Sequence, residues 1–196
     1  MLTAISLPVI VPGVKGDVFL EWARRADSGP FSSLIATDRL VYPNFEPLVL
    51  LAAAAGVTER IGLLTSVLLA PLRNGGMLAK QAASIDALSS GRLSLGFGVG
   101  GREDDFLAAP APMAGRGKKM DEQIALMRRV WAGDPVSEEI ANIGPPPGRK
   151  GGPQILIGGY APASFTRAAK LGDGYIVGNG GDAERTEQNF GKARQA

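Results

Sequence analysis

Gly98, Gly100 and Gly101 close an alternating run, Leu93-Ser94-Leu95-Gly96-Phe97, and lead into Arg102-Glu103-Asp104-Asp105. Small residues at such a spot leave backbone open to a flat ring or a phosphate, and the flanking charges offer counter-charge or a proton. The run lacks the third glycine and the immediate helix of a dinucleotide fingerprint, so Gly-x-Gly-Gly by itself names no ligand. Two more glycine turns follow short apolar runs: Gly158-Gly159-Tyr160, and Gly178-Asn179-Gly180-Gly181. The first opens a helix near Ala163, whose N–H groups and dipole suit an anion, with Ser164 and Thr166 adding hydroxyls. Asp38 and Arg39 end another apolar run. Cysteine and histidine are both absent, which removes thiol nucleophiles, thiolate metal sites and imidazole bases. Proton chemistry therefore falls to carboxylates, Tyr, Lys, Arg or a cofactor.

Six apolar runs, each followed by a helix-like stretch, must position these groups. Strands are expected at 4–11, 33–37, 61–69, 93–100, 154–157 and 175–177, and helices near 17–26, 47–55, 78–88, 120–132, 163–171 and 182–194. Core faces read as Phe19, Trp22 and Ala23; as Leu78, Ala82, Ile85 and Leu88; and as Met120, Ile124, Met127 and Trp131. Residues 107–119 and 144–152 read as irregular loops. Repeated strand–helix units imply an α/β fold with a parallel sheet, either an open doubly wound sheet or most of a (β/α)8 barrel. In both, ligands sit at the carboxyl ends of strands. That polarity gathers Ser66, Val67, Gly98, Gly100, Gly101, Gly158, Gly159 and Gly178 at one rim. The bulky Leu93, Leu95 and Phe97 point the other way, and the bare alternate face implies that something lies against it.

Composition bounds the rest. The chain has 196 residues, 45% of them apolar, with a net charge of +2, which suits one domain over 1–196. Basic residues are scattered without aromatic interleaving, which argues against nucleic acid, and apolar runs stay short of a membrane span. The lack of cysteine leads to the expectation of a cytoplasmic protein.

Several segments resemble the bacterial luciferase-like flavin and F420 (deazaflavin) oxidoreductases. They are Ala36-Thr37-Asp38-Arg39-Leu40, Thr65 to Asn74, Ala79 to Leu93, Gly98-Val99-Gly100-Gly101-Arg102-Glu103-Asp104-Asp105-Phe106, Ile157-Gly158-Gly159 and Leu171-Gly172-Asp173-Gly174-Tyr175. The resemblance implies a (β/α)8 TIM-barrel type shortened to about six βα units, without the two further units usual in the family. It implies F420 or FMN, hydride transfer or monooxygenation of a small organic substrate, and a homodimer, with the Thr-Asp-Arg pattern leaning towards F420. On this reading Ser66–Val67 is a cis peptide supporting the ring, and Gly98, Gly100 and Gly101 admit the ring and its chain. The phosphate falls to Gly158, Gly159 and Tyr160 or to Gly178, Asn179 and Gly180. Asp38 orients a carbonyl and Glu103 donates a proton from an apolar cavity. A flavin-binding protein without turnover, or an inactive fragment of a longer enzyme, stands as the alternative.

Overall fold

The structure, a computed structural model, describes residues 2–177 and 183–196. Six strands form one parallel sheet: β1 (Ala4–Ser6), β2 (Ser33–Ala36), β3 (Gly62–Leu69), β4 (Leu93–Gly98), β5 (Gln154–Gly158) and β6 (Gly174–Ile176). The order β1-β2-β3-β4-β5-β6 never reverses, so each strand pairs with the next one in sequence. Right-handed crossovers on a non-reversing sheet keep every helix on one face, which is barrel winding and not a doubly wound sheet. The sheet is not closed: among the described residues β1 pairs only with β2, and β6 only with β5.

Seven α-helices and one 3-10 turn, Ala70–Leu72, complete the described elements: α1 (Gly16–Ser28), α2 (Pro47–Ala55), α3 (Gly75–Leu88), α4 (Glu103–Ala108), α5 (Arg116–Ala132), α6 (Pro162–Leu171) and α7 (Ala183–Gln195). Period-2 alternation sends Leu34, Leu63, Leu93, Leu95, Phe97, Ile155 and Ile157 towards the helices, where all are buried. Phe19, Leu51, Leu78, Met120, Ile124 and Met127 meet them in one core. The opposite positions, among them Ile35, Leu64 and Leu156, face the barrel interior and are only half-buried. Local chemistry sets the helix ends. Pro47 follows the N-cap Glu46, whose carboxylate accepts from Val49 N; Asn74 caps α3 through Met77 N; and Gly133, at φ 87°, terminates α5.

Several expectations shift. The first strand stops at Ser6, because Pro8 lacks an N–H and the chain turns, Val9 N donating to Leu7 O and Val11 N to Pro8 O. Trp22 is 38% exposed, since α1 buries the narrower stripe of Phe19, Ala23 and Ala26. Leu88 is 72% exposed, at the last turn of α3 beyond the buried stripe that ends with Ile85 and Asp86. The expected 107–119 loop is shortened from both ends, by α4 and by α5 beginning at Arg116. The 144–152 loop is irregular as expected and is tied down by Arg149, whose backbone N–H donates to Asp86 and whose guanidinium donates to Gly91 O.

Candidate active site

The centre of the rim is a bulge in β3. Thr65 pairs with Leu95 and Leu68 with Phe97, so β3 spends three steps where β4 spends two. The Ser66–Val67 peptide within it is cis, as the resemblance implied. Val67 is thrown inwards over the neighbouring strands. A Cβ on Gly98 would lie 2.7 Å from Val67 Cγ2, and one on Gly158 would lie 2.8 Å from Val67 Cγ1. A Cβ on Gly96 would collide with the Thr65 carbonyl. The bare face of β4 thus has an occupant, and the occupant is the chain's own bulge.

The outer glycines differ among themselves. Gly100 has φ 75°, and a side chain there would press on Phe106 at 3.0 Å; its carbonyl accepts from Arg116 Nε at 3.1 Å. Gly159, at φ 136°, has Ser164 packed where a Cβ would go, and its carbonyl accepts from the Tyr175 hydroxyl at 2.7 Å. Burial, with Tyr160 adding to it, pushes the Tyr175 phenol up, so it stays a donor at neutral pH. Gly101 alone of these has open space around it, with no atom within 4 Å of a Cβ position. Beyond Gly159, α6 presents its N-terminus with Ser164 buried at its first turn. Tyr160 is half-exposed, its ring 5.3 Å from the Arg185 guanidinium carbon. Gly178, Asn179 and Gly180 lie outside the described residues.

The carboxylates take structural partners. Asp38 is buried, and its Oδ2 accepts from Leu69 N at 2.9 Å and from Arg73 Nη2 at 2.7 Å. Arg73 also reaches Glu46 at 3.1 Å. Asp38 therefore holds the end of β3 just past the bulge. Glu103 does not sit in an apolar cavity: it is exposed on the first turn of α4, where its charge favours the helix N-terminus.

The two motifs that sequence reading treated separately are joined. Arg39 pairs with Asp104 and with Asp105, the latter at 3.0 Å from Nε. Asp105 is 1% exposed and also accepts from Leu40 N at 3.1 Å and Val41 N at 2.8 Å. Sequence reasoning missed this clamp, the Tyr175 bond to Gly159 and the Arg116 bond to Gly100. Nothing local marks them, because each partner is remote in the chain. Among the described residues, no helix is long and apolar enough to cross a membrane.

Comparison with known proteins follows the same lines. The family described as Luciferase-like monooxygenase matches residues 10–196. An F420-dependent glucose-6-phosphate dehydrogenase of Microbacterium testaceum is 30% identical over 183 residues, covering 84% of this chain and 53% of that protein. The crystal structure of monooxygenase RslO1 from Streptomyces bottropensis superimposes with a TM-score of 0.85 at 26% identity, covering 100% of this chain and 65% of that one. The oxygenating constituent of a Pseudomonas putida diketocamphane monooxygenase, a type II Baeyer-Villiger enzyme in complex with FMN, shares the fold. Its TM-score is 0.78 at 21% identity, with 98% of this chain and 62% of that one covered. The chain thus spans less than two thirds of the length of these proteins.

Proposed function

Because the chain belongs to the luciferase-like monooxygenase family, we propose that it is an oxidoreductase that holds F420 or FMN at the carboxyl-end rim and acts on a small organic substrate. The observation that carries this is the Val67 platform: a side chain seated on Gly98 and Gly158 makes an apolar floor across β4 and β5. Fit supports the reading. A planar tricyclic ring needs such a floor, and Gly101 leaves room for it that a side chain would fill. The N-terminus of α6, beyond Gly159, suits the phosphate of either group through its backbone N–H dipoles and Ser164.

When bound, F420 supplies hydride transfer, and reduced FMN supplies reaction with oxygen. The chain's own groups do the rest. Val67 supports one ring face and keeps water from it. Asp38, by fixing Leu69 N and Arg73, holds the bulge in register. Tyr175 fixes the Gly159 carbonyl and so the anion-facing turn. Glu103 remains a proton donor candidate only if substrate covers α4, since it stands in solvent.

Anaerobic titration with F420 and with FMN, each followed by its own fluorescence, tests the reading; saturable quenching with one of them is expected, and none with either defeats it. A binding protein without turnover is the second reading, favoured because Asp38 is locked in ion pairs and Glu103 is solvated. Oxidation or reduction of the bound cofactor by candidate substrates separates the two. The proposal includes a homodimer, supported by the apolar cleft between α2 and α3, where Val49, Met77 and Leu88 are exposed. Sedimentation equilibrium reads the mass directly.

A further inference from the structure

We propose that the β1–β2 side of the rim is a subsite for an uncharged apolar ring or branched alkyl group, so that the substrate is a hydrophobic organic molecule and not a phosphorylated sugar. This rests on the reading that a redox cofactor occupies the same rim. A cavity of about 180 Å³ lies between the turn after β1 and the loop after β2, lined chiefly by Val9, Val11, Phe19, Pro43, Asn44 and Phe45. Phe19 and Phe45 form one wall edge to face, with centroids 5.1 Å apart. Six of its seven lining side chains are apolar, and its volume is of the size of a six-membered ring.

Charge is withheld from it. Every ionisable side chain of the loop from Asp38 to Glu46 already has a partner: Asp38 and Glu46 pair with Arg73, Arg39 pairs with Asp104 and Asp105, and the Tyr42 hydroxyl donates to Ile10 O at 3.0 Å. The one polar side chain in the lining, Asn44, turns its amide nitrogen to Arg39 O at 3.2 Å and Tyr42 O at 3.0 Å. A phosphate in this lining would meet no charged side chain. The same loops carry large apolar side chains in solvent, Ile10 at 67%, Val11 at 51%, Leu40 at 48% and Val41 at 43% exposed. Apolar clusters of this kind on rigid loops mark binding surfaces. The subsite is preformed, because Asp105 holds Leu40 and Val41 by their N–H groups and Tyr42 ties the two loops together.

The test is a ligand-observed NMR titration of the full chain without cofactor, using cyclohexanone as the probe and glucose 6-phosphate as the counter-probe. Saturable cyclohexanone binding is expected, weakened at least tenfold in Val11→Asp and unchanged in Met77→Asp, which puts the same charge on the distant α2–α3 cleft. Glucose 6-phosphate should not displace it. Should Val11→Asp lower the thermal midpoint, Val11→Lys replaces it, with the same loss expected. Absence of saturable binding, full binding by the variants, or displacement by the sugar phosphate overturns the proposal. F420 and FMN titrations of the same variants keep the two readings apart. Cofactor binding without a cyclohexanone site sinks only the subsite. A cyclohexanone site without binding of either cofactor sinks the redox reading and leaves the apolar site standing.

Discussion

Across the β3 bulge, the β4–β5 side of the rim is shaped by side chains that are missing, and the β1–β2 side by side chains that are tied down. Gly96, Gly98 and Gly158 let the β3 bulge settle against the backbones of β4 and, one strand further on, β5. Asp38, Arg39, Asp105 and Tyr42 instead knit a loop to β3, to α4 and to the turn after β1. One side achieves its shape by close backbone approach, the other by charge-assisted bonds in a partly buried setting. The two should therefore fail differently: the glycine side by collision, the loop side by loss of partners.

The largest effect is expected from Gly96→Ala, which forces a Cβ onto the Thr65 carbonyl within a fully packed sheet. Overpacking against backbone costs about 3 kcal/mol, read as a lower urea midpoint; an unchanged midpoint would mean that the bulge can move aside. Asp105→Ala comes next. It leaves Arg39 with Asp104 as its remaining ion-pair partner and orphans two backbone N–H groups, at a cost of about 2 kcal/mol. Asp105→Asn should recover part of that, and the subsite probe binding should fall in parallel with the loop's protection from proteolysis.

A carboxylate at the other end of the barrel serves as reference for both sides. Asp27 accepts from Glu59 N, Arg60 N and Ile61 N at 2.9, 3.0 and 2.7 Å. Burial alone would raise its pKa, but these three N–H donors, with Arg60 adding to them, outweigh burial and hold it below the ordinary aspartate value. Its stabilisation is therefore present above pH of about 4 and lost as pH falls through the depressed folded value. Asp27→Asn should cost about 1 kcal/mol at pH 7 and flatten the acid limb of a stability–pH curve; an unaltered limb would mean that Asp27 does not set it.

The smallest effect on stability, within about 0.5 kcal/mol for an open surface position, is expected from Gly101→Leu, since nothing lies within 4 Å of its Cβ position. On the proposed function it nevertheless abolishes F420 or FMN binding, read by fluorescence titration with the circular dichroism spectrum unchanged. Gly100 and Gly159 make poorer probes, because their positive φ angles and their contacts with Phe106 and Ser164 mix local strain with any loss of ligand. Undiminished cofactor binding by Gly101→Leu would move the ring away from this turn.

Strand number, strand direction and the single core could be read from the chain because they are periodic. Leu93, Leu95 and Phe97 alternate as a strand must, and Met120, Ile124, Met127 and Trp131 repeat as a buried helix face must; all are buried. The turn glycines and the Ser66–Val67 peptide were legible for a related reason, since the first follow strand ends and the second lies within a stretch carried by the family resemblance. Trp22 and Leu88 were misjudged because periodicity gives an apolar stripe but not its width, which depends on what packs against it. Tertiary structure alone decided what fills the bare face of β4, why Asp105 is buried, and that Asp38 is an anchor of β3. Each of these joins residues about 30 to 90 positions apart, such as Val67 with Gly98 and Gly158 or Arg39 with Asp105. A local pattern encodes which way a side chain points; only the sheet's register determines what it meets there.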